Sequence, residues 1–178
     1  MMSKKRTSVT DPMSFSTIPI GHGLIGLTIC PGKKGASIYG GDWDRDLDSD
    51  IEAIAHWGAS ALVTVMTTDE LSYLQVGDLG RCVVDHNMAW YQIPIPDLQA
   101  PNCKTLEQWD YIKGKIHTRL NQTEKILIHC RGGLGRSGTL AANLLMDTGF
   151  TPEAAIDLVR AARPGAIETS EQVAFLMR

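Results

Sequence analysis

No apolar run in this chain approaches the roughly 18 residues needed to cross a bilayer. The nearest thing to a signal-peptide core, residues 18–30, is interrupted by Pro19, His22 and three glycines, and a long polar stretch separates it from Lys4-Lys5-Arg6. Export and membrane insertion are therefore not expected. Cysteine is scarce: Cys30, Cys82, Cys103 and Cys130 lie far apart, without metal-ligand spacing. That argues against a metal site or a disulfide framework and fits a reducing cytoplasm. Positive charge has no excess either, with 17 Lys and Arg against 20 Asp and Glu and a net charge of −3. No basic stripe favours a nucleic-acid partner. At 178 residues the chain is long enough for one domain with a sheet covered on two faces.

Two motif-like stretches lack the context their chemistry requires. Gly21-His22-Gly23-Leu24-Ile25-Gly26 has the spacing of a dinucleotide fingerprint, yet Leu27-Thr28-Ile29-Cys30-Pro31 reads as a strand stopped by proline, not as the required helix. A strand and turn near a sheet edge is the better reading. Asp42, Asp44, Asp46, Asp48 and Asp50 alternate like calcium ligands, but the glycine and glutamate positions of an EF-hand loop hold Ser49 and Ala55. Ser49-Asp50-Ile51-Glu52 reads instead as a capping box opening a helix through about Trp57. Arg45 either reaches a substrate or pairs with its acidic neighbours.

Residues 1 to about 16 are polar and read as a loose leader, with the domain running from 17 to 178. Gly58-Ala59-Ser60 ends the first helix, and residues 61–66 form a buried strand. Thr67 to Glu70 can cap a short helix through Leu74. Residues 81–84 and 89–93 are strand candidates. Thr105 to Gln108 is a capping box for a helix whose Leu106, Trp109, Ile112, Ile116 and Leu120 recur at helical spacing. Thr151 and Pro152 start another helix. This order predicts an α/β domain with a central, largely parallel sheet flanked by helices on both faces.

The most informative stretch is residues 126–139. Ile126-Leu127-Ile128 reads as a short buried strand, a glycine-rich turn follows, and residues 140–146 run apolar at helical spacing. A strand turning tightly into a helix leaves backbone N–H groups free to hold an anion. Cys130 opens that turn and Arg136 closes it. Nearby N–H donors and a cation favour a thiolate, and a guanidinium offers parallel donors to a phosphate.

His129-Cys130-x5-Arg136-Ser137 resembles the signature of the cysteine-dependent protein tyrosine and dual-specificity phosphatases. The loop Cys130-Arg131-Gly132-Gly133-Leu134-Gly135-Arg136 is similar to that of the kinase-associated (cyclin-dependent kinase inhibitor 3-like) phosphatases. The resemblance implies a dual-specificity-phosphatase-like fold, a Cys130 nucleophile, and phosphate held by Arg136 and the backbone of residues 131–136. It also implies that Ser137 assists the leaving sulfur and that His129 steadies the loop from behind. Ile93-Pro94-Ile95-Pro96-Asp97 looks like the loop that carries the family's acid, which makes Asp97 the candidate proton donor. Residues 163–172 resemble the family's Gln-Thr-x-x-Gln segment, with Gln172 as a candidate water-positioning residue and Glu168 standing where the first Gln is usual. Thr169-x-x-Gln172 is also a capping box, and a helix-capping role for Ser137 stays open.

The activity implied is hydrolysis of phosphotyrosine, and of phosphoserine or phosphothreonine, on a protein substrate through a phosphocysteine, with no cofactor or metal. Two alternatives remain at this stage. One is a phosphate-reading module without turnover. The other is a thiol enzyme such as an arsenate reductase, in which Cys30, Cys82 or Cys103 would resolve an intermediate.

Overall fold

The computed structural model describes residues 5–37 and 40–178. A hairpin opens the domain: β1 (Ser16–Ile20) pairs antiparallel with β2 (Gly23–Thr28). The turn between them uses Gly21 at φ +57°, a left-handed conformation that glycine adopts without a Cβ clash. A small ribbon follows, β3 (Lys34–Gly35) against β4 (Trp43–Asp44). Then come α1 (Leu47–Trp57), β5 (Ala59–Thr64), α2 (Thr68–Tyr73), α3 (Leu79–Asp85) and β6 (Ala89–Gln92). The second half comprises α4 (Cys103–Asn121), β7 (Lys125–His129), α5 (Gly135–Asp147), α6 (Pro152–Ala162) and α7 (Ser170–Leu176).

The main sheet has the order β1-β2-β7-β5-β6, and every pairing except β1–β2 is parallel. Both its faces are covered, as β2 shows. A Cβ at Gly23 would strike Leu120 of α4, whereas one at Gly26 would strike Trp57 of α1. Positions three apart on a strand point to opposite faces. The central strands are apolar on both sides: Ile126, Leu127 and Ile128 of β7 and Ala61, Leu62 and Val63 of β5 are fully buried.

Four local expectations are revised. Residues 81–84 are helical, within α3, not a strand. Leu79, Cys82 and Val83 face the core at helical spacing, and Gly80 lets the helix lie directly on the Trp90 ring. The cap of α1 is Asp46, whose carboxylate accepts from the Ser49 N–H, so Ser49 to Glu52 lies inside the helix. Likewise α4 begins two residues before Thr105, capped by Asn102 in a reciprocal box with Thr105. In each case the earlier side chain accepts from the N–H three residues on, which starts the helix sooner than the later hydroxyl would. Finally, the described part of the leader, from residue 5, is pinned to the domain. Arg6 bridges to Trp43, Thr28 Oγ1 donates to the Ser14 carbonyl at 2.8 Å, and the Phe15 and Trp57 rings lie 5.0 Å apart.

Arg45 resolves toward pairing. Its guanidinium is 1% exposed, bonds both oxygens of equally buried Asp50 at 2.7 and 2.8 Å, and donates to the Asp11 carbonyl. It is a structural tie between the leader and α1. No helix among the described residues is long and apolar enough to cross a membrane.

Candidate active site

The parallel strands β2, β5, β6 and β7 all end on the same side of the sheet, where α/β folds place their ligands. Cys130 follows β7 directly and is 3% exposed. The turn 130–134 then enters α5, whose first residues have no side-chain cap. Gly133 sits at φ +68°, and a Cβ there would collide with the Thr28 carbonyl at the end of β2. The loop can lie this close to the neighbouring strand only with glycine at that position.

The loop's carbonyls are engaged from behind. Lys33 Nζ donates to the Arg131 carbonyl at 3.1 Å, and the Arg163 guanidinium donates to those of Gly132 and Gly133, both at 3.1 Å. The Ile167 and Gly138 N–H groups take the Leu134 carbonyl. With the carbonyls held this way, the amide hydrogens of residues 131–136 and the start of α5 are what the turn offers an anion.

Ser137 Oγ lies 3.4 Å from Cys130 Sγ, both groups buried. Arg136, 1% exposed, divides its donors. Nη1 reaches both oxygens of Glu70, at 2.9 and 2.8 Å, and the Ile95 carbonyl at 2.9 Å. Nη2 reaches Asp97 Oδ1 at 2.9 Å. Burial acts to raise the Glu70 carboxyl, but hydrogen bonds from Arg136 and the Thr67 N–H outweigh it and hold Glu70 below its ordinary range. Asp97 is half-exposed on the loop after β6, at the mouth of the site.

His129 is wholly buried beneath Cys130. Its Nε2 lies 2.8 Å from Thr64 Oγ1, which accepts from Trp90 Nε1 at 2.8 Å, and its Nδ1 lies 3.3 Å from the Cys130 carbonyl. These partners define one tautomer: Nδ1 donates to the carbonyl and Nε2 accepts from the threonine. Burial pushes the imidazole down to about 4, so it is neutral near pH 7.

Gln172 is fully buried at the start of α7. Its Oε1 accepts from the Glu168 and Thr169 N–H groups, and its Nε2 donates to the Gln99 carbonyl at 3.2 Å. The Thr169 hydroxyl donates to the Leu98 carbonyl, so the Asp97 loop and the α7 start are bonded together. The Glu168 carboxylate lies against Gly135, where a Cβ would collide with it.

Cys130, Arg131, Gly132, Leu134, Asp97 and Glu168 line one cavity of about 450 Å³. All the sequence-derived candidates thus converge, Ser137 and His129 behind the loop and Gln172 beside it. The sequence reading missed Glu70, Lys33, Thr64 and Arg163. Glu70 was visible as a cap of α2, but nothing in its own segment connects it to residue 136. Among the described residues there is no cluster of His, Cys, Asp and Glu that could hold a metal.

A buried cysteine and arginine on a strand-to-helix turn, with an aspartate at its mouth, form the arrangement expected of a cysteine-dependent phosphatase. The chain belongs to the dual-specificity/protein tyrosine phosphatase family: residues 37–176 match the family model described as a Swiss Army Knife protein, DSP-PTPase phosphatase domain. Within that class it is similar to cyclin-dependent kinase inhibitor 3. Identity is 32% over 177 residues to the Sus scrofa protein and 30% over 171 to the Mus musculus one, each alignment covering 93% of this chain and 77% of the relative. The fold is similar to kinase associated phosphatase crystallised with its catalytic-site cysteine replaced by serine, at TM-score 0.82 and 30% identity, covering 93% of this chain and 92% of that one. It is also similar to the active form of Tk-PTP, at TM-score 0.68 and 29% identity, covering 91% and 95% respectively. The chain is accordingly a protein phosphatase of the cysteine-dependent type.

Proposed function

We propose that the chain hydrolyses phosphotyrosine, and phosphoserine or phosphothreonine, on a cytoplasmic phosphoprotein through a phosphocysteine intermediate. Cys130 attacks phosphorus in line, forming the S–P bond as the P–O bond to the substrate oxygen breaks. The transition state spreads charge over three equatorial oxygens, which the amide hydrogens of residues 131–136 and the Arg136 guanidinium stabilise. Arg136 Nη2 exchanges Asp97 for a phosphate oxygen, and the released Asp97 accepts the proton brought in on a monoanionic phosphate ester and delivers it to the departing oxygen. In the second step water attacks the phosphocysteine, Asp97 takes its proton, Gln172 positions it, and Ser137 hydrogen-bonds the leaving sulfur. His129, neutral and doubly bonded, keeps the Cys130 carbonyl turned away.

The observation that carries this reading is that Cys130 and Asp97, 33 residues apart, line one cavity, with Ser137 3.4 Å from the Cys130 sulfur and Arg136 bonded to Asp97. The names of the relatives point to kinases as the kind of phosphoprotein acted on. Four free thiols, none of them disulfide-bonded, support a reducing compartment. The test is turnover of a small aryl phosphate in EDTA. Wild type hydrolyses it, whereas Cys130→Ser loses turnover and keeps affinity for phosphate analogues. Full activity in that variant would refute the scheme.

A further inference from the structure

The cavity that holds Cys130 extends past the catalytic loop onto a second set of residues: Arg6, Lys33, Arg131 and Trp43. The Arg6 guanidinium lies 3.8 Å from the centre of the Trp43 ring and Lys33 Nζ 4.0 Å from it. Both cations are held by neutral groups. Arg6 donates to the Gly40 and Gly41 carbonyls and to Ser37 Oγ, at 3.0, 3.1 and 2.6 Å. Lys33, only 6% exposed, donates to the Arg131 carbonyl.

Three of the four cations lining this cavity carry no ion pair among the described residues, and the fourth, Lys34, does. Lys5 and Lys34 pair with Asp44, Arg45 with Asp50, Arg119 with Glu124, and Arg136 with Glu70 and Asp97. Among the described residues, Arg6, Lys33 and Arg131 have no carboxylate within ion-pair distance. Their mutual repulsion is felt at Lys33, which burial and then the neighbouring Arg131 and Arg6 bring down to about 8. It still carries its proton at pH 7. Nor is this a loose surface cluster. Arg6 is fixed by backbone bonds on both sides, its N–H to the Asp42 carbonyl and its carbonyl from the Asp44 N–H, at 2.8 and 2.9 Å. Like charges held together on one wall of a cleft focus a field that attracts anions. The cavity's acids, Asp97 and Glu168, come from the segments beside Arg136 and Gln172 instead.

We propose that Arg6, Lys33 and Arg131 form a second anion subsite beside Cys130. It takes a phosphate or carboxylate carried by the polypeptide substrate close to the phosphoresidue being hydrolysed. The proposal rests on the reading of Cys130 as the phosphatase nucleophile and adds a substrate preference to it. A polypeptide is the occupant because the chain is a protein phosphatase, and because Trp43, Leu74, Ile29 and Leu98 give the same cavity apolar walls for neighbouring side chains.

The experiment uses the full chain carrying Cys130→Ser, with calorimetric binding of phosphotyrosine peptides alike except at one flanking position. That position is Gln, Glu or phosphoserine, placed in one set before and in another after the phosphotyrosine. In one of the two sets the anionic peptides bind about tenfold tighter than the Gln peptide, as charge-assisted hydrogen bonds require. Arg6→Gln and Lys33→Gln, each added separately, reduce that ratio to within about twofold. Because the ratio is taken within one variant, a folding defect lowers both affinities without imitating the result. Equal binding of all peptides in both sets would overturn the proposal. So would a preference for inositol bisphosphate over monophosphate that needs Arg6 and Lys33 while the peptides show none, since the subsite would then belong to a headgroup. Turnover of the Gln peptide by the chain with Cys130 intact reports separately on the nucleophile, so the two readings fail independently.

Discussion

Arg136 uses its two terminal nitrogens differently, and that division has a consequence for Asp97. Nη1 is held by Glu70 and the Ile95 carbonyl, but Nη2 has Asp97 as its carboxylate partner. An incoming phosphate must compete with Asp97 for Nη2. Asp97→Ala is therefore expected to lower kcat, more on alkyl phosphates than on aryl phosphates with good leaving groups, while tightening vanadate binding several-fold. Steady-state kinetics with both substrate types and vanadate inhibition measure the two effects. Equal kcat losses, or weaker vanadate binding, would remove Asp97 from its role. At His129 the prediction concerns stability. The unfolded chain binds a proton on this imidazole near pH 6.5 and the folded chain only near about 4, so unfolding takes up a proton between those values. Folding stability should decline as pH falls through that window. Urea denaturation from pH 7 to 4.5 should show the decline for wild type and a shallower one for His129→Gln. Equal slopes would mean that the buried ring is not the group responsible.

At the scale of elements, α2 links a helix cap to the site. Glu70 closes the reciprocal box with Thr67 and also grips Arg136, so one carboxylate orders a helix terminus and a guanidinium. Glu70→Gln keeps an acceptor for the Thr67 N–H but loses the charge opposite Arg136. It should reduce kcat/KM about tenfold or more with little change in melting temperature. Glu70→Ala should lower both, the cap alone contributing about 1 kcal/mol. Undiminished activity of the Gln variant would show that Ile95 and the loop suffice to hold Arg136. This double use explains part of what was legible beforehand. The box at Thr67 is a local pattern, whereas the contact with residue 136 crosses 66 positions and leaves no periodicity. The strand–turn–helix around Cys130 was legible because its chemistry is contiguous. The helix at α3 was not, since Cys82-Val83-Val84 has the β-branched character of a strand and only packing on Trp90 decides otherwise.

At the scale of the whole molecule, the parallel sheet with both faces buried followed from the alternation of apolar strands and capped helices. The seating of the N-terminal segment did not. It depends on single contacts, such as Arg6 on Trp43, Phe15 on Trp57 and the Asp11 carbonyl on Arg45, which no repeat announces. The chain carries a net charge of −3, yet among the described residues three cations stand without an ion pair at the cavity that contains Cys130. Added salt should therefore weaken capture of a phosphopeptide more than that of an uncharged molecule. The two hydrogen bonds from Thr169 and Gln172 to the carbonyls of Leu98 and Gln99 have a further effect. They tie the segment bearing Asp97, the proposed acid of the first step, to Gln172, the residue proposed to place the water of the second. If the aspartate swings aside, the glutamine's anchorage loosens with it. Departure of the aspartate and placement of the second water would then be coupled through the backbone of Leu98 and Gln99.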